Sequence, residues 1–290
     1  VDKIENNLPK SVRNAGIVLL SLPMDQVRET LEFIAPDLKE GTVVMDTGPV
    51  KDVVAHWAAE LLPEGCHYIG LTPVLNPRYL YSMDAGLQAA RADLFGEGLM
   101  AIVTPPRSSS EAIKLAADLT RLLGAKPLFA DPVEMDGLMA ATQVLPQLVA
   151  ASLTNATMDQ PGWREGRKVA GRDYAEATGP LAHLWDSKTL EAAASLNREN
   201  VLRMLDSVIA AMQAMRSDID QEDEDGLNEK LKRAFNGRAK WWQERQSGEW
   251  TVDGAARLDM PESGGFLGRM FGMSRKSDKA EMNDLRRICV

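Results

Sequence analysis

Asp46-Thr47-Gly48-Pro49-Val50-Lys51 and Gly70-Leu71-Thr72-Pro73 are the stretches in which reactive side chains follow short apolar runs. Those runs read as parallel strands, and in open α/β sheets the loops at the carboxyl ends of strands carry the chemistry. Asp46 either faces that cleft or caps the following helix, a position that favours aspartate. Lys51 has the charge to meet a carboxylate or a phosphate; the alternative is an ordinary surface lysine. Thr72 can hydrogen-bond but cannot serve as a base near neutral pH. Ser21-Leu22-Pro23 closes an earlier apolar run, either as a wall of the same cleft or as a plain strand-to-helix turn.

Positive charge gathers in Trp163-Arg164-Glu165-Gly166-Arg167-Lys168. Arginine grips carboxylates with two parallel bonds, so Arg164, Arg167 and Lys168 form either an acid-binding cluster or a solvated helix face. Gln143 and Gln147 stand four apart on a predicted helix and share a face. The three histidines offer less. His56 lies within a helix, His67 starts a strand at the sheet end opposite the cleft, and His183 neighbours Trp185; each reads as structural or solvated. Cys66 and Cys289 cannot make a disulfide framework, and no Cys and His set has metal-ligand spacing.

The elements that must hold these residues alternate from Gly16 to Asp131. Strands are predicted at 17–22, 42–45, 67–70, 99–104 and 127–130, the first of them buried on both faces. Helices are predicted at 24–35, 50–62 and 110–123, with a weak one near 85–94. This alternation implies parallel pairing through crossover helices. After Asp131 the pattern is helical throughout: 132–158 as one long helix, 190–219 as another, and a charged helix over 221–246. Residues 251–290 are rich in Gly, Ser and charge and read as a flexible tail, with Phe266-Leu267-Gly268-Arg269-Met270-Phe271 as a docking segment at most.

With 290 residues, 44% hydrophobic and 26% charged, the chain has the composition of a globular protein with room for two domains. A formal net charge of −9 argues against nucleic-acid or anionic-membrane partners. No apolar run approaches the roughly 20 residues of a membrane helix, and the N-terminus lacks signal-peptide character. The cysteine usage and absent leader make the cytoplasm the expected compartment. The start at Val1, without Met, implies a longer reading frame. No G-x-G-x-x-G follows a strand; Gly264-Gly265-Phe266-Leu267-Gly268 has neither spacing nor context, and Gly96-Glu97-Gly98 precedes a strand. In the usual strand order the 17–22 strand would pair with the strand that such a turn follows. Unpaired, it is an apolar sheet edge, which lowers solubility or recruits a partner.

The order of landmarks is that of a known family. Gly16–Pro23, Lys39-Glu40-Gly41-Thr42-Val43-Val44-Met45-Asp46-Thr47-Gly48-Pro49-Val50-Lys51, Leu61-Leu62-Pro63-Glu64-Gly65 and Gly70-Leu71-Thr72-Pro73 resemble the prephenate/arogenate dehydrogenases of tyrosine biosynthesis. So do Leu145–Leu153, Gly162-Trp163-Arg164 and Leu196-Asn197-Arg198-Glu199-Asn200, so that the resemblance covers about residues 1–218 and starts after the family's first strands. It implies an α/β Rossmann-like parallel sheet, incomplete without its first strands, over 1–131, followed by an all-helical substrate and dimerisation domain over 132–250. It also implies NAD(P)-dependent oxidative decarboxylation, a dicarboxylate substrate and a homodimer through the helical domain.

The resemblance places NAD or NADP against Ser21, Leu22, Pro23, Asp46, Thr47, Gly48, Lys51 and Pro73, held fully only when the absent N-terminal half is supplied. It places substrate against Asn76, Gln143, Gln147, Arg164, Arg167 and Lys168, with Thr72 as the catalytic contact. Two positions depart from the pattern. The family's histidine in a G-G-H-P loop is Thr72 here, and the serine of its G-S-V-K turn is Pro49. These departures keep a second reading open, that of a non-catalytic relative serving as a binding or regulatory dimer subunit. A 3-hydroxyacid substrate would call for a lysine on the helix after Asp131, and none occurs before Lys168.

Overall fold

The computed structural model describes residues 4–82, 84, 86–184 and 186–249. The expected tail and its Phe266–Phe271 segment lie outside them. The chain divides into units Val1–Trp242 and Gln243–Val290. Of the second, 243–249 is described, and it contains the end of the last helix.

The first unit opens with α1 (Leu8–Val12) and then β1 (Ile17–Leu20), α2 (Val27–Ile34), β2 (Val43–Asp46), α3 (Asp52–Leu61) and β3 (His67–Val74). Next come β4 (Leu99–Val103), α4 (Ser110–Leu122) and β5 (Lys126–Ala130). The strands form one sheet in the order β1-β2-β3-β4-β5. All neighbours run parallel except β3 and β4, which are antiparallel, with Thr72 opposite Ala101. This corrects the expectation of parallel pairing throughout. The connection 75–98 holds only single turns at Pro77–Tyr79 and Gly86–Ala89, not the helix predicted there. Without a crossover helix the chain returns beside the strand it has just left. β3 is also longer than predicted, so Thr72 and Pro73 lie within the strand rather than in a loop after it.

Two apolar layers sandwich the sheet. On one face Val18, Leu20, Val44 and Tyr68 pack against Val27, Leu31 and Ile34 of α2 and against Val54 and Ala58 of α3. The spacing of the α2 residues puts them on a single helix face. On the other face Val43, Met45, Ile69, Leu71, Met100 and Ile102 pack against Ala112, Ala116 and Ala117 of α4. That helix does not cover the β1 edge, where Ile17 and Leu19 are 38% and 50% exposed. β1 is therefore buried on one face, not on both as its composition suggested.

The helical part contains α5 (Pro132–Met139), α6 (Leu145–Met158), α7 (Trp163–Val169), α8 (Arg172–Thr178), α9 (Ser187–Leu196), α10 (Arg198–Asp220) and α11 (Glu224–Ser247). Asp131 caps α5 by accepting a hydrogen bond from Glu134 N, with Pro132 in its first turn. The predicted helix 132–158 is interrupted by a π turn at Ala140–Val144. Pro146 cannot donate to the carbonyl four residues before it, which accounts for a widened turn at this point. The predicted 190–219 helix breaks at Asn197, whose backbone leaves the helical region (φ −109°, ψ 36°).

Candidate active site at the junction of sheet and helices

The Asp46–Lys51 turn closes over the carboxyl end of β2, and its two charged residues turn inward. Lys51 is fully buried, and its Nζ donates to Asp46 Oδ2 at 2.8 Å and to the Asp46 carbonyl at 3.1 Å. Asp46, also fully buried, accepts from the Tyr68 hydroxyl at 2.6 Å and from Gly48 N at 2.8 Å. The lysine stem runs across Gly70: a β-carbon there would stand 3.0 Å from Lys51 Cδ, 3.1 Å from Val103 Cβ and 3.2 Å from the Tyr68 oxygen. Only a residue without a side chain leaves the stem that path. Gly48 is confined in the same way by Asp46 Oδ2 and Met24 Sδ.

A second carboxylate reaches this turn from α5. Asp136 is 5% exposed; its Oδ1 accepts from Lys51 N at 2.5 Å and its Oδ2 from Asp52 N at 3.2 Å. Its own carbonyl accepts from Asn197 Nδ2 at 2.7 Å. Burial lowers the lysine's pKa while Asp46 and Asp136 oppose that shift. Burial and the adjacent Asp46 push the Tyr68 phenol well above its ordinary value. Desolvation raises Asp136 to about 6 against the hydrogen bonds from Lys51 and Asp52, which hold it down.

Thr72 lies on the same face of β3 as Tyr68 and Gly70, since strand side chains alternate. Its pair partner Ala101, with Val103, packs against Met135 and Met139 of α5. Thr72 is 4% exposed, and its Oγ1 is buried without a hydrogen-bond partner. Buried hydroxyls are normally paired; among the described residues this one has no protein partner.

The predicted residues are only partly brought together. Ser21 is exposed and Leu22, Pro23, Thr47 and Pro73 are half-buried at or near the strand ends, while Asp46 and Lys51 are turned away from solvent and bonded to one another. Asn76 is occupied by its own loop, accepting from Arg78 N and donating to the Asp93 carbonyl. Arg164, Arg167 and Lys168 stand exposed on α7, with Lys168 paired to Glu165 at 2.6 Å. Gln143 is exposed in the π turn and Gln147 is half-buried on α6. His56 is exposed on α3, and His67 begins β3 as expected. His183 is less isolated than its sequence neighbours suggested. It lines a cavity of about 190 Å³ with Leu75, Tyr79, Leu80, Arg91 and Leu94. Asp136, Tyr68 and Asn197 had no assigned role; an aspartate among Met135, Leu138 and Met139 was the available signal.

Among the described residues no helix is long and apolar enough to cross a membrane, and no group of His, Cys, Asp and Glu can hold a metal ion. Residues 1–128 match the family model of the prephenate dehydrogenase nucleotide-binding domain, and residues 131–233 match that of the prephenate dehydrogenase dimerization domain. Prephenate dehydrogenase of Bacillus subtilis is 25% identical over 244 residues, covering 82% of this chain and 63% of the relative, so the chain spans under two thirds of that protein. Cyclohexadienyl dehydrogenase of Zymomonas mobilis is 26% identical over 245 residues, 82% of this chain and 79% of the relative. In fold the chain is similar to the prephenate dehydrogenase of A. aeolicus crystallised with hydroxyphenyl propionate and NAD+, with a TM-score of 0.71 at 20% identity over 83% of this chain and 82% of that one. With two family models covering most of its length in consecutive order, the chain belongs to the prephenate dehydrogenase family.

Proposed function

We propose that this chain oxidises prephenate or arogenate with NAD or NADP, coupling loss of hydride from the ring carbinol carbon to loss of CO2. The observation that carries this reading is the unpartnered, buried Thr72 hydroxyl, on β3 opposite Ala101, which packs against Met135 and Met139, at the position where the resemblance places the family's loop histidine. The atoms balance without a resident base. The bond pair of the carbinol C–H leaves as hydride, the bond pair of C–CO2 stays in the ring to complete aromaticity, and the hydroxyl proton is retained on the phenolic product. A hydrogen-bond acceptor on that hydroxyl suffices to stabilise the charge that develops as hydride departs, and a threonine oxygen can accept. Contact requires the ring to enter between β3 and Met135/Met139.

The fit to a nicotinamide cofactor is partial. Ser21, Thr47 and the Gly48 backbone, at the ends of adjacent parallel strands, suit a flat ring and its carboxamide. The first N–H groups of α3, where a phosphate would otherwise find donors, are already taken by Asp136. When bound, the cofactor supplies the hydride acceptor; the described residues supply orientation and a dry floor. The solved relative with NAD+ supports the assignment. The match to a dimerization domain supports a homodimer, with the exposed Leu202, Ile209, Met212 and Ile219 of α10 as its apolar face. Pro49 in the turn, which has neither hydroxyl nor N–H to offer, favours the second reading, a non-catalytic binding or regulatory dimer subunit.

Calorimetric titration with NAD+ and NADP+, followed by an assay for NAD(P)H and CO2 with each substrate, separates the two. Binding with turnover supports the dehydrogenase, and binding without turnover supports the binding subunit. Absence of nucleotide binding shows that these residues alone do not hold the cofactor, and calls for the same titration on a chain extended upstream in frame.

A further inference from the structure

Asp136 has no part in the chemistry just described, yet it is a buried carboxylate at the meeting of the two family domains. The first N–H groups of a helix need an acceptor from outside the helix. For α3 the N-cap residue is Lys51, whose side chain has no oxygen to offer. The acceptor comes instead from a residue 85 positions later, with one carboxylate oxygen on Lys51 N and the other on Asp52 N. A negative charge at this end also complements the helix dipole. Asp136 is itself held: Asn197 Nδ2 donates to its carbonyl, Asn200 Nδ2 donates to Asn197 Oδ1, and Arg203 donates to Asn200 Oδ1. At the other end of the turn, Asp46 Oδ2 accepts from Gly48 N. The turn is thus fixed at one end by its own strand and at the other by the helical domain.

We propose that Asp136 is a positioning residue for the turn Thr47–Lys51, setting its shape for the nucleotide from α5 through the N-terminus of α3. This rests on the reading of Thr47 and Gly48 as facing NAD(P). Nucleotide affinity then depends on how α5 docks against α3, and on the charge state of Asp136. The charged and titratable groups around it are Lys51 and Asp52 on α3, Asp46 and Tyr68 on the sheet, and Arg203 on α10, whose guanidinium lies near Gly137. Burial places the ionisation of Asp136 at about 6, so its capping strength changes within an accessible pH range.

The test is calorimetric titration of NAD+ and NADP+ into the full chain and its Asp136→Asn variant between pH 5 and 8. Losing one charge-assisted acceptor should weaken binding about tenfold at pH 8. It should also abolish the wild-type weakening on the acid side of pH 6. Equal affinity with an equal pH profile overturns the proposal. If wild type binds neither nucleotide, affinity cannot report on the turn, and the positioning role is decided by hydrogen exchange of the peptide over 47–53. Faster exchange in Asp136→Asn supports the role, and unchanged exchange overturns it. Should that variant not fold, Asn197→Ala releases the Asp136 carbonyl while leaving its carboxylate, and the same exchange comparison applies.

Discussion

Replacing Lys51 by Met removes the cation from a pair that is shut off from water. Its Nζ–Oδ2 distance is 2.8 Å, and the two side chains are 0% and 1% exposed. Methionine keeps most of the stem that crosses Gly70, so little packing is lost. What remains is the buried Asp46 carboxyl without its cation, with only the Tyr68 hydroxyl and Gly48 N–H as donors. Breaking a buried pair from one side costs about 3–5 kcal/mol, a large part of the roughly 5–15 kcal/mol that holds a domain together. The pair itself contributes less than that, because forming it required desolvation of both ions. The double variant Lys51→Met/Asp46→Asn should therefore recover about 1–2 kcal/mol of the loss by removing the stranded charge. Urea unfolding followed by far-UV circular dichroism measures both. A single variant within 1 kcal/mol of wild type, or a double variant no more stable than the single, would refute the reasoning.

Gly70→Ala places a methyl group 3.0 Å from Lys51 Cδ and 3.1 Å from Val103 Cβ; overpacking of this kind costs about 1–3 kcal/mol, and an unchanged melting temperature would contradict the account of the lysine's path. Thr72→Val removes an unpartnered buried hydroxyl at nearly constant shape, so stability should hold or rise by up to about 1 kcal/mol while turnover falls; a clear destabilisation would mean that the hydroxyl has a structural partner. For Asp136 the folded pKa, about 6, lies above the ordinary value of 3.8. The folded state therefore binds more protons between those values, and the stability this contributes is present below about pH 4 and lost as pH rises through 6. Asp136→Asn carries no such titration, so its stability relative to wild type should increase from pH 4 to pH 6 and then level off in urea unfolding. A flat difference would show that desolvation does not dominate at this carboxyl.

Continuous apolar runs made β1, β2, β4 and β5 legible, because strands buried in a layered sheet need little else to mark them. The α4 helix was legible too, predicted over 110–123 and found over Ser110–Leu122, where the structure adds Ser109 as its cap. The reversal at β3–β4 was not legible, since pairing direction is decided by what the 75–98 connection does in three dimensions. For the same reason Thr72 and Pro73 were placed in a loop although they pair with Ala101 and Met100. Lys51 shows the limit most directly. Sequence gives its charge and its distance from Asp46, but not the cleared path over Gly70 that takes it inward. Asp136 and Asn197 act 85 and 61 residues away from their partners, beyond the reach of any local pattern. The break at Asn197 coincides with that long-range bond.

The central claim is that the Thr72 hydroxyl serves a dehydrogenase in place of a histidine. Its most direct test is turnover of prephenate and arogenate with NAD+ and NADP+ by the full chain and by Thr72→Val, measured as paired release of NAD(P)H and CO2. The account predicts equimolar release by wild type and a loss of at least about tenfold in kcat/KM in the folded variant. Equal turnover by the two proteins, or none by a wild type that binds nucleotide, would contradict it.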